Sequence, residues 1–268
     1  MAHILLPTDF SDAALHAASY AVHLFGRTGN RYSLLHAYAD TPVMDPALAM
    51  SMPSLIKDAD VRLVEFMDRF VRTTGAEGVQ RELIYGPLAP LVEDRATAGA
   101  VDLVVMGREG QGASFFGSNS VDVIKRSSVP VLVVPVNAPI IAPSSILLAD
   151  DYEDVRVRDL SMLRTIALRS KARVLVAHYD QEVPEGAPHW SNGIYEQALK
   201  DVPHAFISAH GHGPVDSLER LAEHQHADMI AVLHRHIGVL ARLFQPSTSK
   251  QLALNARHPL LVLEQAGS

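Results

Sequence analysis

The feature that most constrains this chain is that it carries its own pattern twice. Ile4 and Ile146, Asp9 and Asp151, and His36 and His178 are each separated by 142 residues. An offset that stays constant over two apolar runs and the segment between them calls for two copies of one βαβ plan. Farther on the offset changes. Asp102-Leu103-Val104-Val105 matches Asp228-Met229-Ile230-Ala231 at 126, so the second copy is 16 residues shorter in between. Pro130 and Pro259, each opening an apolar run, are offset by 129, so the first copy is three residues shorter between its fourth and fifth strands. The two units divide at the Pro135-Val136-Asn137-Ala138-Pro139 linker into residues 1–138 and 139–268.

Within each copy, short apolar runs alternate with amphipathic stretches. His3-Ile4-Leu5-Leu6-Pro7 reads as a strand, Ser11-Asp12 opens a helix with Leu15, Ala18, Val22 and Phe25 on its apolar face, and Tyr32 to Tyr38 is the second strand. A helix over about 54–73 follows a Pro/Met segment containing Met44, Met50 and Met52, which reads as a loop packing on its own domain. Then come strands at 82–85, 102–106 and 130–135, with a helix over 87–98. The missing residues of the second copy fall in its second helix, which shrinks to about 192–200. Nearly continuous apolar strands separated by helices specify an α/β fold with parallel sheets covered on both faces.

Composition narrows the function. A formal charge of −7 without a basic cluster leaves no face to displace counterions from nucleic acid. No apolar run reaches the ~20 residues of a membrane span, and the first residues enter a strand instead of a basic and apolar leader, so no membrane partner is expected and the cytoplasm is the expected compartment. With no cysteine there are no disulfides, thiolate ligands or cysteine nucleophiles.

The richest local signal is Met106-Gly107-Arg108-Glu109-Gly110-Gln111-Gly112, running through Gly117-Ser118-Asn119-Ser120 into an amphipathic segment. Glycines permit close backbone approach, and a helix N-terminus capped by Ser118 or Ser120 would favour an anion. With Pro7-Thr8-Asp9-Phe10-Ser11, Asp102 to Gly107, and Gly117-Ser118 through Pro135, the chain resembles a tandem member of the universal stress protein family over essentially its whole length. That resemblance implies two Rossmann-like domains, each a five-stranded parallel sheet of order 3-2-1-4-5. It also implies a ligand site at the carboxyl edge between strands one and four.

In nucleotide-binding members of that family the loop is Gly-x2-Gly-x9-Gly-Ser/Thr. Carried over, Pro7, Thr8 and Asp9 would face the adenosine part and Ala37 would line the base. Met106, Gly107, Gly110, Gly117, Ser118, Asn119 and Ser120 would surround the phosphates, with Arg108 neutralising one. ATP or another adenine nucleotide, accompanied by Mg²⁺, is the candidate ligand. The spacing departs from the family: six residues separate Gly110 from Gly117, which removes up to ~10 Å of reach. The second copy keeps the full loop length but carries Leu233, His236 and Pro246 at the glycine positions, so no ATP is expected there.

The implied role is a stress-response regulatory protein. A nucleotide-independent partner-binding protein and a weak adenine-nucleotide hydrolase are the alternatives. No catalytic set stands out, and slow ATP hydrolysis or autophosphorylation is the most the residues could support. His36 and His178, at equivalent strand ends, read as structural, and His224/His226 as a helix end. Asp150, Asp151, His178, His234 and His236 gather by topology at the second carboxyl edge and are the only metal candidates, against the plainer reading of solvated loop groups. The fifth strands are paired across a dimer in the family. Here residues 131–136 and 260–264 would pair within one chain as an internal pseudo-dimer, with a homodimer as a further option.

Overall fold

A computed structural model describes residues 1–38, 46–108, 118–150, 155–179, 192–209, 214–233 and 258–264. The first half runs β1 (His3–Pro7), α1 (Asp12–Phe25), β2 (Arg31–Tyr38), α2 (Pro46–Thr74), β3 (Val79–Tyr85), α3 (Leu88–Thr97), β4 (Leu103–Arg108), α4 (Ser118–Arg126) and β5 (Val131–Pro135). The second runs β6 (Ser145–Asp150), a short 3-10 turn (Val157–Leu160), α5 (Ser161–Ser170), β7 (Arg173–Tyr179), α6 (Asn192–Ala198), β8 (His204–Ala209), α7 (Pro214–His224), β9 (Met229–Leu233) and β10 (Leu260–Leu263). The strands form one ten-stranded sheet in the order β3-β2-β1-β4-β5-β10-β9-β6-β7-β8. Each half therefore has the expected 3-2-1-4-5 order with parallel neighbours.

Strand alternation splits the core into two layers. Ile4, Leu6 and Val105 pack with α1, α2, α5 and α6 on one face, whereas Leu5, Val104 and Met106 pack with α3, α4 and α7 on the other. The halves meet where β5 and β10 pair antiparallel, Val133 opposite Leu260 and Val131 opposite Val262. That is the pairing expected from the two apolar edges, each of which would otherwise be an open template for another strand. A helix contact reinforces the seam: Arg169 of α5 donates from Nε to the Leu24 carbonyl at 3.2 Å and from Nη2 to the Phe25 carbonyl. A side chain of the second half thus satisfies carbonyls left over at the C-terminus of α1.

The repeat has a physical basis at the amino edge. Asp102 accepts a hydrogen bond from the His3 amide at 2.7 Å, and Asp228 accepts from the Ser144 and Ser145 amides at 2.7 and 3.1 Å. Each carboxylate ties the start of its fourth strand to the start of its first. Glu93 and Glu219, also 126 apart, repeat a second duty: Glu93 accepts from the Ser128 amide at 2.9 Å, and Glu219 pairs with Nδ1 of His258 at 2.7 Å.

The largest boundary difference from expectation is at α2; smaller ones start β3 at Val79 and carry β4 on through Gly107 and Arg108. Helix α2 starts at Pro46 instead of residue 54, so Met50 and Met52 are helical, while Met44 lies outside the described residues. Proline is favoured at a first helical position, and the Ala, Leu and Met residues after it are strong helix formers, which outweighs the interruption at Pro53.

Candidate functional site

In the first half β1 lies between β2 and β4, and this is where the strand order reverses. Open α/β sheets bind ligands in the crevice at the carboxyl ends of such strands. Helix α1 packs on one face of the sheet and α4 on the other, and because each follows a parallel strand its N-terminus lies toward the carboxyl edge.

The corner after β1 is built by three successive side-chain bonds to backbone. The Phe10 amide donates to Thr8 Oγ1 at 2.9 Å, the Ser11 amide to Asp9 Oδ1 at 3.0 Å, and the Ala14 amide to the N-cap Ser11 Oγ at 3.1 Å. Short polar side chains after a strand compete for local amides in this way, which turns the chain sharply. Asp9 ends exposed, and its Oδ2 makes no hydrogen bond among the described residues. Between Thr8 and Ser11, Phe10 takes φ +70°, a left-handed conformation unfavourable for a bulky residue. Its ring is held 4.2 Å from that of His36 and 6.2 Å from that of Phe66, with the Arg62 guanidinium 4.5 Å above it. Arg69 donates to the Phe10 carbonyl at 3.3 Å and pairs with Asp12 at 3.1 Å. His36 Nδ1 lies 2.8 Å from the Thr8 carbonyl and must carry the proton, because a carbonyl only accepts. The first of the two repeated histidines thus has the structural duty expected of it.

The remaining first-half residues divide by burial. Pro7 and Met106 are core, so they can offer a ligand only backbone. Ala37 is half-buried on β2, paired with Ile84. Ser118 begins α4, Asn119 is exposed and Ser120 is buried within the first turn. Gly110 and Gly117 lie outside the described residues.

Gly107 and Arg108 differ most from the sequence reading. A Cβ on Gly107 would lie 2.3 Å from the Ala13 carbonyl oxygen, 2.5 Å from the Ala13 carbonyl carbon and 2.9 Å from the Ala14 nitrogen. What approaches this glycine is the first turn of α1. Its lost side chain is therefore explained by helix–strand packing, without a phosphate. Arg108 is 6% exposed, so it is not a guanidinium open to the crevice. Burial lowers its pKa, and the charge of Glu219 on α7 of the other half favours the cation.

In the second half, Asp150 and His178 are register partners at the carboxyl ends of β6 and β7, while Asp151, His234 and His236 lie outside the described residues. Among the described residues no group of three or more His, Asp or Glu is placed to hold a metal ion. His224 is the last residue of α7 and His226 follows in a left-handed turn, as a helix end requires. Among the described residues no helix is long and apolar enough to cross a membrane. Phe10, Arg62, Arg69, Glu219 and His258 were not singled out by the sequence; the seven-residue spacing of Arg62 and Arg69, which puts both on one helix face, was the one available signal.

Comparison with known proteins adds the following. Residues 1–135 match the sequence profile described as "Universal stress protein family". Over 139 residues the chain is 32% identical to a protein of Thermus aquaticus named "Universal stress protein in QAH/OAS sulfhydrylase 3'region", an alignment covering 49% of this chain and 96% of that one. Among solved structures, a universal stress protein from Archaeoglobus fulgidus superposes with a TM-score of 0.70 at 17% identity, covering 99% of this chain and 98% of its own. A functionally unknown Pseudomonas aeruginosa protein does so with a TM-score of 0.50 at 15% identity, covering 99% and 93%. At such identities the likeness is one of fold.

Proposed function

This chain belongs to the universal stress protein family, and from that premise we propose that it is a cytoplasmic stress-response regulator whose first unit, residues 1–138, binds an adenine nucleotide. The second unit, residues 139–268, is the degenerate partner that completes an internal pseudo-dimer. What supports this reading is the exposed Asp9 carboxylate at the carboxyl end of β1, where the strand order reverses, together with a second helix, α4, that follows β4 from the same edge. Asp9 Oδ2 is available to accept from ribose hydroxyls, and the first N–H groups of α4 suit an anion. Ala37 and the backbone at the end of β2 would border the base, and Mg²⁺ would enter with the phosphates. The neighbouring readings keep one specific support: Gly107 is accounted for by packing and the loop is short, as suits a partner-binding protein that needs no nucleotide.

The deciding experiment is calorimetric titration of ATP into the full chain. Binding is expected in the first unit only. Asp9→Ala is expected to remove it, and Asp151→Ala to leave it intact. The absence of both heat and thermal shift at millimolar ATP would sink the nucleotide reading, and loss through Asp151→Ala alone would move the site to the other unit.

A further inference from the structure

We infer that Arg69 of α2 is a positioning residue for the ribose end of the nucleotide: it clamps the Phe10 turn and thereby fixes the direction of the Asp9 carboxylate. This rests on the nucleotide reading above and adds to it the element that holds the site in its binding form.

Phe10 is held at both its ring and its carbonyl. Its φ of +70° is unfavourable for a residue with a bulky side chain and persists only where the surroundings impose it. The ring packs against His36 and Phe66, and the Arg62 guanidinium sits 4.5 Å from its centroid. Arg69, two helical turns farther along α2, takes the carbonyl: its Nη2 donates to Phe10 at 3.3 Å while its Nη1 donates to Asp12 Oδ1 at 3.1 Å. One planar fork thus ties the last residue before the N-cap Ser11 to the first residue after it. Asp9 depends on this arrangement directly. Its Oδ1 accepts the Ser11 amide across Phe10 at 3.0 Å, a bond that exists only while Phe10 keeps its turn, and the same bond leaves Oδ2 turned to a ligand.

The two halves differ in the helix that carries the clamp. Helix α2 is 29 residues long, whereas its counterpart α6 has seven, Asn192–Ala198, with no arginine or lysine among them. The second copy therefore repeats Asp9 as Asp151 in sequence without a helix able to supply the fork. Because the Arg69 guanidinium is already committed to two oxygens of the protein, its effect on a ligand runs through Asp9. An arginine that instead contacted phosphate would serve only the charged part of the ligand, and this difference separates the two roles.

The test measures ATP and adenosine affinity of the full chain for Arg69→Met and Arg69→Lys, with thermal unfolding of each. Methionine retains much of the arginine stem and its packing on Phe66. Both ligands carry the ribose that Asp9 faces, so clamping predicts that Arg69→Met weakens ATP and adenosine by the same factor. That factor should be about fivefold, the low end for coupled groups, because the Arg69 side chain is 41% exposed. Lysine can serve only one of the two oxygens and should recover part of the loss. The melting temperature should fall by no more than about 4 °C, as for other part-exposed pairs. If Arg69→Met weakens ATP but spares adenosine, Arg69 is a phosphate ligand and the inference is overturned. Silence toward both ligands, a lysine that recovers nothing, or a larger fall in melting temperature overturns it as well. Should the unaltered chain bind neither compound, the nucleotide reading fails. Amide exchange of Phe10, Ser11 and Ala14 then tests the clamp alone: faster exchange in Arg69→Met supports it, and unchanged exchange refutes it.

Discussion

Gly107→Ala probes the packing of α1 directly. The added methyl would meet the Ala13 carbonyl oxygen at 2.3 Å and the Ala13 carbonyl carbon at 2.5 Å. Neither neighbour can yield by changing a rotamer, because both are backbone in the first turn of a helix. β4 resists as well, because Met106, Gly107 and Arg108 pair with Val133, Val134 and Pro135 of β5. Helix α1 must therefore move by roughly 1 Å to restore ordinary contact at ~3.4 Å or more. It buries ten residues, including Tyr20, Val22, Leu24 and Phe25, so the shift loosens a whole layer. Overpacking a well-packed core by one methyl costs about 1–3 kcal/mol, and a clash with helix backbone puts this case near ~3. For a chain of this size that corresponds to a fall of about 6–12 °C in the melting temperature. Thermal unfolding followed by circular dichroism measures it, and nucleotide affinity should fall as well, because the Asp9 corner travels with α1. Full stability combined with lost affinity would show that the glycine is needed for a ligand and that the packing argument is wrong.

Two further outcomes follow. Phe10→Ala and Phe10→Gly both delete the ring that packs against His36, Phe66 and Arg62, but only glycine relaxes the left-handed backbone. Chemical denaturation should find Phe10→Gly about 1 kcal/mol more stable than Phe10→Ala, and equal stabilities would mean that the corner carries no such strain. For His258, burial opposes the proton, but the bond to Glu219 and the charges of Glu219, Glu223 and Asp228 outweigh it and raise the pKa above 6.5. The folded state then binds the proton more tightly than the unfolded one. The stabilisation is full below pH 6.5 and is lost as pH rises through the higher folded value. The melting temperature of His258→Gln should depend less on pH across that window, and an undiminished dependence would refute the assignment.

Much of the architecture was legible because it rests on local patterns. Apolar runs of four or five residues between helical stretches specify buried parallel strands, and the constant 142-residue offset required the plan to occur twice. The pairing of β5 with β10 followed because two apolar edges in one chain have each other as the nearest cover. Helix α2 was harder: Pro53 and the Met-rich stretch before it looked like a boundary, yet Pro46 starts the helix and the chain continues through the proline. For the site, the corner at Asp9 was visible as a run of short polar residues after a strand. The residues that brace it from α2 were not, because Arg62 and Arg69 are more than fifty positions away and resemble any solvated helix face.

The sequence alone determined the class of fold and the duplication, which follow from periodicity and the repeat, while the strand order came through the family resemblance. Tertiary structure decided what each residue at that edge faces. Gly107 reads as a place for phosphate until α1 is seen filling the space, and Arg108 reads as an open cation until its burial is known. The first depends on an element distant in sequence, since α1 lies about ninety residues before Gly107. A glycine or an arginine specifies what it can tolerate or attract, and the packing of remote segments selects which of those options is used.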